Sequence, residues 1–219
     1  MIRPALLALL LSTAAAQAAD AQAADAPSTA PAAALPAAIK ALRAGNAPEA
    51  AAIFLTLARA GDGEAQFNLA LLYLEGVGVP QNAREALYWG WRARLSGIPA
   101  APALLARLDD SATPALREET ATRITADLDP RIAIGEGRAM LERSVLLSDL
   151  LPEPDLTGAY VWQALSAALG TPGAAGARDA TLDRIAPEDR LKAQAAAIEQ
   201  LATLCKGAMS DQPICTTLP

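Results

Sequence analysis

Residues 61–97 read GDGEAQFNLALLYLEGVGVPQNAREALYWGWRARLSG, and residues 135–170 read GEGRAMLERSVLLSDLLPEPDLTGAYVWQALSAALG. The two stretches are copies of one unit. Gly61, Ala65 and Leu72 recur 74 positions on as Gly135, Ala139 and Leu146, whereas Ala86, Trp89 and Gly97 recur 73 positions on as Ala159, Trp162 and Gly170. One residue is lost in the loop between the two halves of the unit. A period of roughly 36 residues marks a helical repeat array.

The residue types explain the pattern. Ala65 is small enough for a neighbouring helix to approach closely, and Leu69, Leu72 and Tyr73 continue one apolar stripe from it at helical spacing. Gly76 and Gly78 end the first helix, Pro80 prevents it from resuming, and Asn82 offers an N-cap to the second. On that second helix Ala86, Trp89 and Ala93 share one face. A single hairpin cannot bury such a face, so hairpins must stack.

Gly61, Ala65, Leu69, Leu72, Tyr73, Gly76, Gly78, Val79, Ala86, Trp89, Ala93 and Gly97, with the string LYLEGVGVPQN over Leu72 to Asn82, resemble the Sel-one-like repeat, a relative of the tetratricopeptide repeat. The second copy keeps Ala139, Leu146, Ala159, Trp162, Ala167 and Gly170, but LLPEPDLTG over Leu150 to Gly158 replaces the glycine-rich turn. The resemblance implies an all-α fold, an α-solenoid of antiparallel helix hairpins. It also implies a surface that binds other proteins, with no catalytic residues of its own. Relatives serve flagellar motors, exopolysaccharide export and envelope stress signalling.

The chain opens MIRPALLALLLSTAAAQA. Arg3, the short apolar run Ala5 to Leu11 and the triplet Ala16-Gln17-Ala18 have the order of a secretory signal peptide over residues 1–18. Its removal takes away one arginine and no acid, leaving 17 − 24 = −7, which argues against a nucleic-acid partner. No later stretch has membrane-spanning length without charge. The chain holds 55 alanines, and arginine outnumbers lysine 15 to 3. That composition points to a high-GC bacterial genome, so that export means the periplasm. In that oxidising compartment Cys205 and Cys215 are expected to pair and close a short loop.

Residues 19–33 are low in complexity and read as a disordered linker, residues 34–204 as the solenoid, and residues 205–219 as a tail covering its open end. Leu35 to Ala44 and Ala47 to Ala60 form an N-terminal capping hairpin, with Ile53, Leu55, Leu57 and Ala58 inward. Between the copies, Pro102 to Leu108 and Ala115 to Leu128 are helical, and Asp129-Pro130 leaves a kink or a new short helix. That middle region is a degenerate hairpin or an insertion. Two helices follow, Ala177 to Ile185 and one running from the Pro187 start signal to about Leu204.

The chain has no histidine, so neither a Ser-His-Asp triad, a Cys-His pair nor a histidine metal site is available. No catalytic residue, metal or cofactor is expected. The remaining enzymatic route needs Asp109, Asp110, Glu118 and Glu119 to converge in a pocket; a secreted hydrolase or an inhibitor is the rival to an adaptor. The partner-binding candidates are Trp91, about 200° around its helix from Trp89, with Gln66, Asn68, Glu75, Glu142 and Arg143 toward the groove. Trp91 is either an exposed anchor or packed beneath Ile98–Asp110.

Overall fold

The computed structural model describes residues 30–216. Among them all regular structure is helical: α1 (Ala30–Arg43), α2 (Ala47–Arg59), α3 (Gly63–Glu75), α4 (Ala83–Leu95), α5 (Ala101–Arg107), α6 (Pro114–Ala133), α7 (Gly137–Val145), α8 (Leu156–Ala168), α9 (Ala174–Arg184), α10 (Pro187–Leu204) and α11 (Pro213–Thr216). The signal peptide and most of the linker lie outside the described residues. Helix α1 already begins at Ala30, ahead of the expected solenoid start.

Most of the packing joins sequence neighbours, α1 with α2, α2 with α3, α3 with α4, and later α7 with α8 and α8 with α9, while α10 returns to α8. One continuous core runs through them, from Phe54 and Leu69 to Ile124, Met140 and Leu165. The signature positions Ala65, Leu72, Ala86, Trp89, Ala139, Leu146, Ala159 and Trp162 are all buried, and Tyr73 is half-buried at the edge of the core. In α2, Phe54 is fully buried while Ile53 and Leu55 are only partly so.

The two repeats share their turn chemistry even where their sequences part. In the first, the Val77 N–H donates to the Leu72 carbonyl (3.0 Å) and the Asn82 N–H to the Tyr73 carbonyl (2.9 Å). In the second, Leu151 donates to Leu146 (3.3 Å) and Asp155 to Leu147 (2.9 Å). The acceptors correspond at an offset of 74 and the last donor at 73, so the deletion falls between residues 77 and 82. The first copy closes its turn with left-handed Gly76; the second uses a π-helical turn, Leu146–Leu150. Asn82 and Asp155 then cap α4 and α8, each side-chain oxygen accepting from backbone N–H groups of the first turn.

A second shared feature is a close approach at the start of each first helix. A Cβ on Gly63 would lie 2.7 Å from the Ser96 Cβ, and one on Gly137 would lie 2.0 Å from the Thr171 Oγ1. At the same offset of 73, Ser166 and not Ala167 is the counterpart of Ala93. Ser166 is fully buried and donates to the Gly137 carbonyl at 2.7 Å.

The middle region is no regular hairpin. Helix α5 packs on α4, and α6 bridges α4 to α7. Helix α6 runs unbroken through Pro130 to Ala133. Proline removes a hydrogen bond to the residue four positions earlier, here Ala126, which is exposed and open to water.

Cys205 and Cys215 are joined, their Cα atoms 5.4 Å apart. The loop they close carries Met209, fully buried against Gly135 at the α6–α7 turn. The tail therefore folds back onto the second repeat and leaves the outer face of α10 open, with Leu191 and Ile198 exposed.

Candidate functional site: a cleft between the repeats

Two adjoining hollows open beside α4 and α5, the first toward the start of α6 and the π-helical turn, the second toward α7. The first, about 250 Å³, is lined by Leu87, Trp91, Arg94, Leu105, Arg117 and Asp149 among others. The second, about 340 Å³, is lined by Leu95, Ile98, Arg138, Leu141, Glu142 and Val145. Arg94 and Pro102 border both, so the hollows form one cleft.

Its apolar wall comes from the ends of α4 and α5 and one side of α7. Its charges come in pairs: Arg94 with Asp149, Arg117 with Asp109 and Arg138 with Glu142. The Arg94 guanidinium also lies 5.2 Å from the centroid of the Trp91 ring, and its Nε is buried without a partner. Asp149 reaches the cleft from the π-helical turn, whose wider winding shifts the side chains that follow it.

Trp91 is 5 % exposed and packs under the α5 segment, so it is no exposed anchor. Gln66 is fully buried; it donates to the Ala58 carbonyl at 3.2 Å and accepts from Ser96 at 2.9 Å, tying α2, α3 and the end of α4 together. Asn68 donates to the Glu64 carbonyl of its own helix. Glu75 pairs with Arg107. Arg143 pairs with Asp129 and lies 4.6 Å from the centroid of Trp162. Of the six candidates, Glu142 and Trp91 line the cleft, Gln66, Glu75 and Arg143 sit at helix joints, and Asn68 bonds within its own helix, because helix numbering alone does not say which polar groups face a neighbour.

Behind the cleft, α6 is tied to α4 by a polar joint. Arg123 pairs with Glu85 and lies 3.6 Å from the centroid of Tyr88; Tyr88 donates to Asp127, which also takes Arg92. Burial, then the hydrogen bond to Asp127, pushes the Tyr88 phenol up to about 12. Arg131 similarly links α6 to Glu136 and Glu142; its hydrogen bond holds the Glu136 carboxyl below the usual carboxylate range.

The four acids of the enzymatic alternative do not form a site. All are exposed, and Asp109 and Glu119 are committed to different arginines, Arg117 and Arg84. No helix among the described residues is long and apolar enough to cross a membrane.

No curated protein matches the chain. A family model described as Sel1 repeat matches residues 63–90, which is α3, the glycine turn and the first half of α4. Sel1 repeats generally mediate protein–protein interaction and act as scaffolds without catalysis of their own. The matched segment is thus similar to a Sel1 repeat, and it stands with a second copy that has equivalent turn bonds in an all-helical stack consistent with a Sel1-like α-solenoid.

Proposed function

We propose that the protein is an exported, periplasmic adaptor that holds a segment of a partner polypeptide in the cleft between its two repeats. The cleft is the observation that carries this reading. It joins an apolar floor to three arginine–carboxylate pairs, a composition suited to a peptide with one apolar anchor between charged residues. Export is supported by the leader-like order of residues 1–18 and by the pairing of Cys205 with Cys215. An envelope assembly such as a flagellar motor is the setting that the resemblance suggests.

Photocrosslinking in cells tests it. A crosslinker at Leu141, half-buried on the cleft wall, is compared with one at Thr122, exposed on α6. The expected result is a discrete adduct from position 141, weakened by Arg94→Ala and absent from position 122. Equal labelling from both positions, or labelling indifferent to Arg94, overturns the cleft as the binding site.

A further inference from the structure

Helix α10 is apolar on two opposite sides. Ala193, Ala197 and Leu204 face inward, where α10 packs on α8. At 100° per residue, Leu191, Ala195, Ile198 and Ala202 fall on the far side, at spacings of four, three and four. Leu191 is 77 % exposed and Ile198 61 %. A helix with apolar residues on both sides is expected between two layers. The structure supplies one layer, since the disulfide-closed tail seats Met209 at Gly135 instead of covering α10.

We propose that this stripe is a dimerisation surface on which a second copy of the chain packs its own α10, antiparallel, about a two-fold axis. The residues are self-complementary in that arrangement. With the axis between residues 196 and 197, Leu191 meets Ala202 of the second copy and Ile198 meets its Ala195. Each large side chain thus faces a small one. A parallel pairing would set Leu191 on Leu191 and Ala195 on Ala195, crowding some layers and leaving others empty. The charges agree with the antiparallel choice. Lys192 and Glu199 flank the stripe on one side, both exposed and neither in an ion pair among the described residues. In that register Lys192 lies two residues, about 3 Å along the axis, from the level of Glu199 of the second copy, within reach of the two long side chains, and the two-fold repeats that pair. A surface that matches itself under a two-fold selects another copy over an unrelated helix. Four stripe residues on each side make a small interface, under about 1,200 Å² in total, so the dimer belongs with the weak, reversible class.

Sedimentation velocity and light scattering on the mature chain, from about 1 µM to about 500 µM, read the association directly in the range of a weak interface. The wild type is expected to move from monomer to dimer with rising concentration. Ile198→Lys, at an exposed position, keeps the helical circular dichroism and weakens the dimer at least about tenfold, the effect of burying an unpaired charge. Lys192→Glu and Glu199→Lys each weaken it severalfold. The double variant, which restores opposite charges across the axis, returns to near wild type. A wild type that stays monomeric throughout overturns the proposal, and a double variant as weak as either single one overturns the antiparallel register. The cleft reading is untouched by either outcome.

Discussion

Replacing Gly78 and Gly97 by alanine separates two physical terms that a glycine can carry. Both residues have left-handed backbone, φ +71° and +82°. At Gly97 an added Cβ would have nothing within 4 Å, so Gly97→Ala loses only the left-handed preference, about 1 kcal/mol. At Gly78 the same Cβ would lie 2.3 Å from the Ala47 carbonyl oxygen and 2.4 Å from its carbon. Those are backbone atoms at the first turn of α2 and cannot rotate away. Gly78→Ala therefore adds an overpacking term of about 1–3 kcal/mol to the same strain. The difference between the variants corresponds to a few degrees to about 10 °C in Tm for a chain of this size. Urea denaturation followed by far-UV circular dichroism measures both. Hydrogen exchange should locate the Gly78→Ala effect in α1 and α2, because the displaced contact is one of those that seat the capping hairpin on the first repeat. Equal destabilisation by the two substitutions, within about 0.5 kcal/mol, would refute the claim that close approach at Ala47 explains this glycine.

Two further outcomes follow from the packing. Tyr88 is held protonated by burial and by its bond to Asp127, its folded value near 12 against 10 in the unfolded chain. The unfolded state therefore releases this proton first, and stability falls as pH rises from about 10 to about 12. Tyr88→Phe should flatten that decline in pH-dependent urea midpoints, and an unchanged slope would count against the Tyr88–Asp127 bond. Trp91→Ala should lower stability by about 3–5 kcal/mol, the usual range for a buried aromatic; a shift under about 1 kcal/mol would mean that the ring does not support α5.

The parts of the fold that local spacing determines were legible. Glycine turns, caps and the alternation of Ala65, Leu72, Ala86 and Trp89 specify a hairpin, and the structure stacks it as expected. The burial of Phe54 in preference to Ile53 and Leu55 was not legible, since a helix rich in alanine leaves its facing angle to the neighbours. Pro130 suggested a break because propensity ignores the solvent that satisfies the orphaned carbonyl. Gln66 looked like surface, yet it is fully buried with both amide atoms bonded across helix ends. The shared Gly63 and Gly137 offered a signal that was present in GDG and GEG, but only the inter-helix distances reveal what it serves.

The cleft itself arises from an interruption of the repeat. In a regular stack the first helix of each unit lies against that of the next, whereas the contacts of α3 with α4 and of α7 with α8 lie within each hairpin. The first helix of the middle unit is α5, seven residues where α3 has thirteen, so it falls short by about 9 Å at 1.5 Å per residue. Helix α5 stays on α4, and α6 carries the connection to α7 through the Glu85–Arg123 and Arg131–Glu142 pairs. The missing turns leave α5 and α7 facing each other across open space, and Trp91, Leu105, Leu141 and Val145 line what a full helix would have covered. The proposed binding cleft is thus the place where the repeat fails to complete itself.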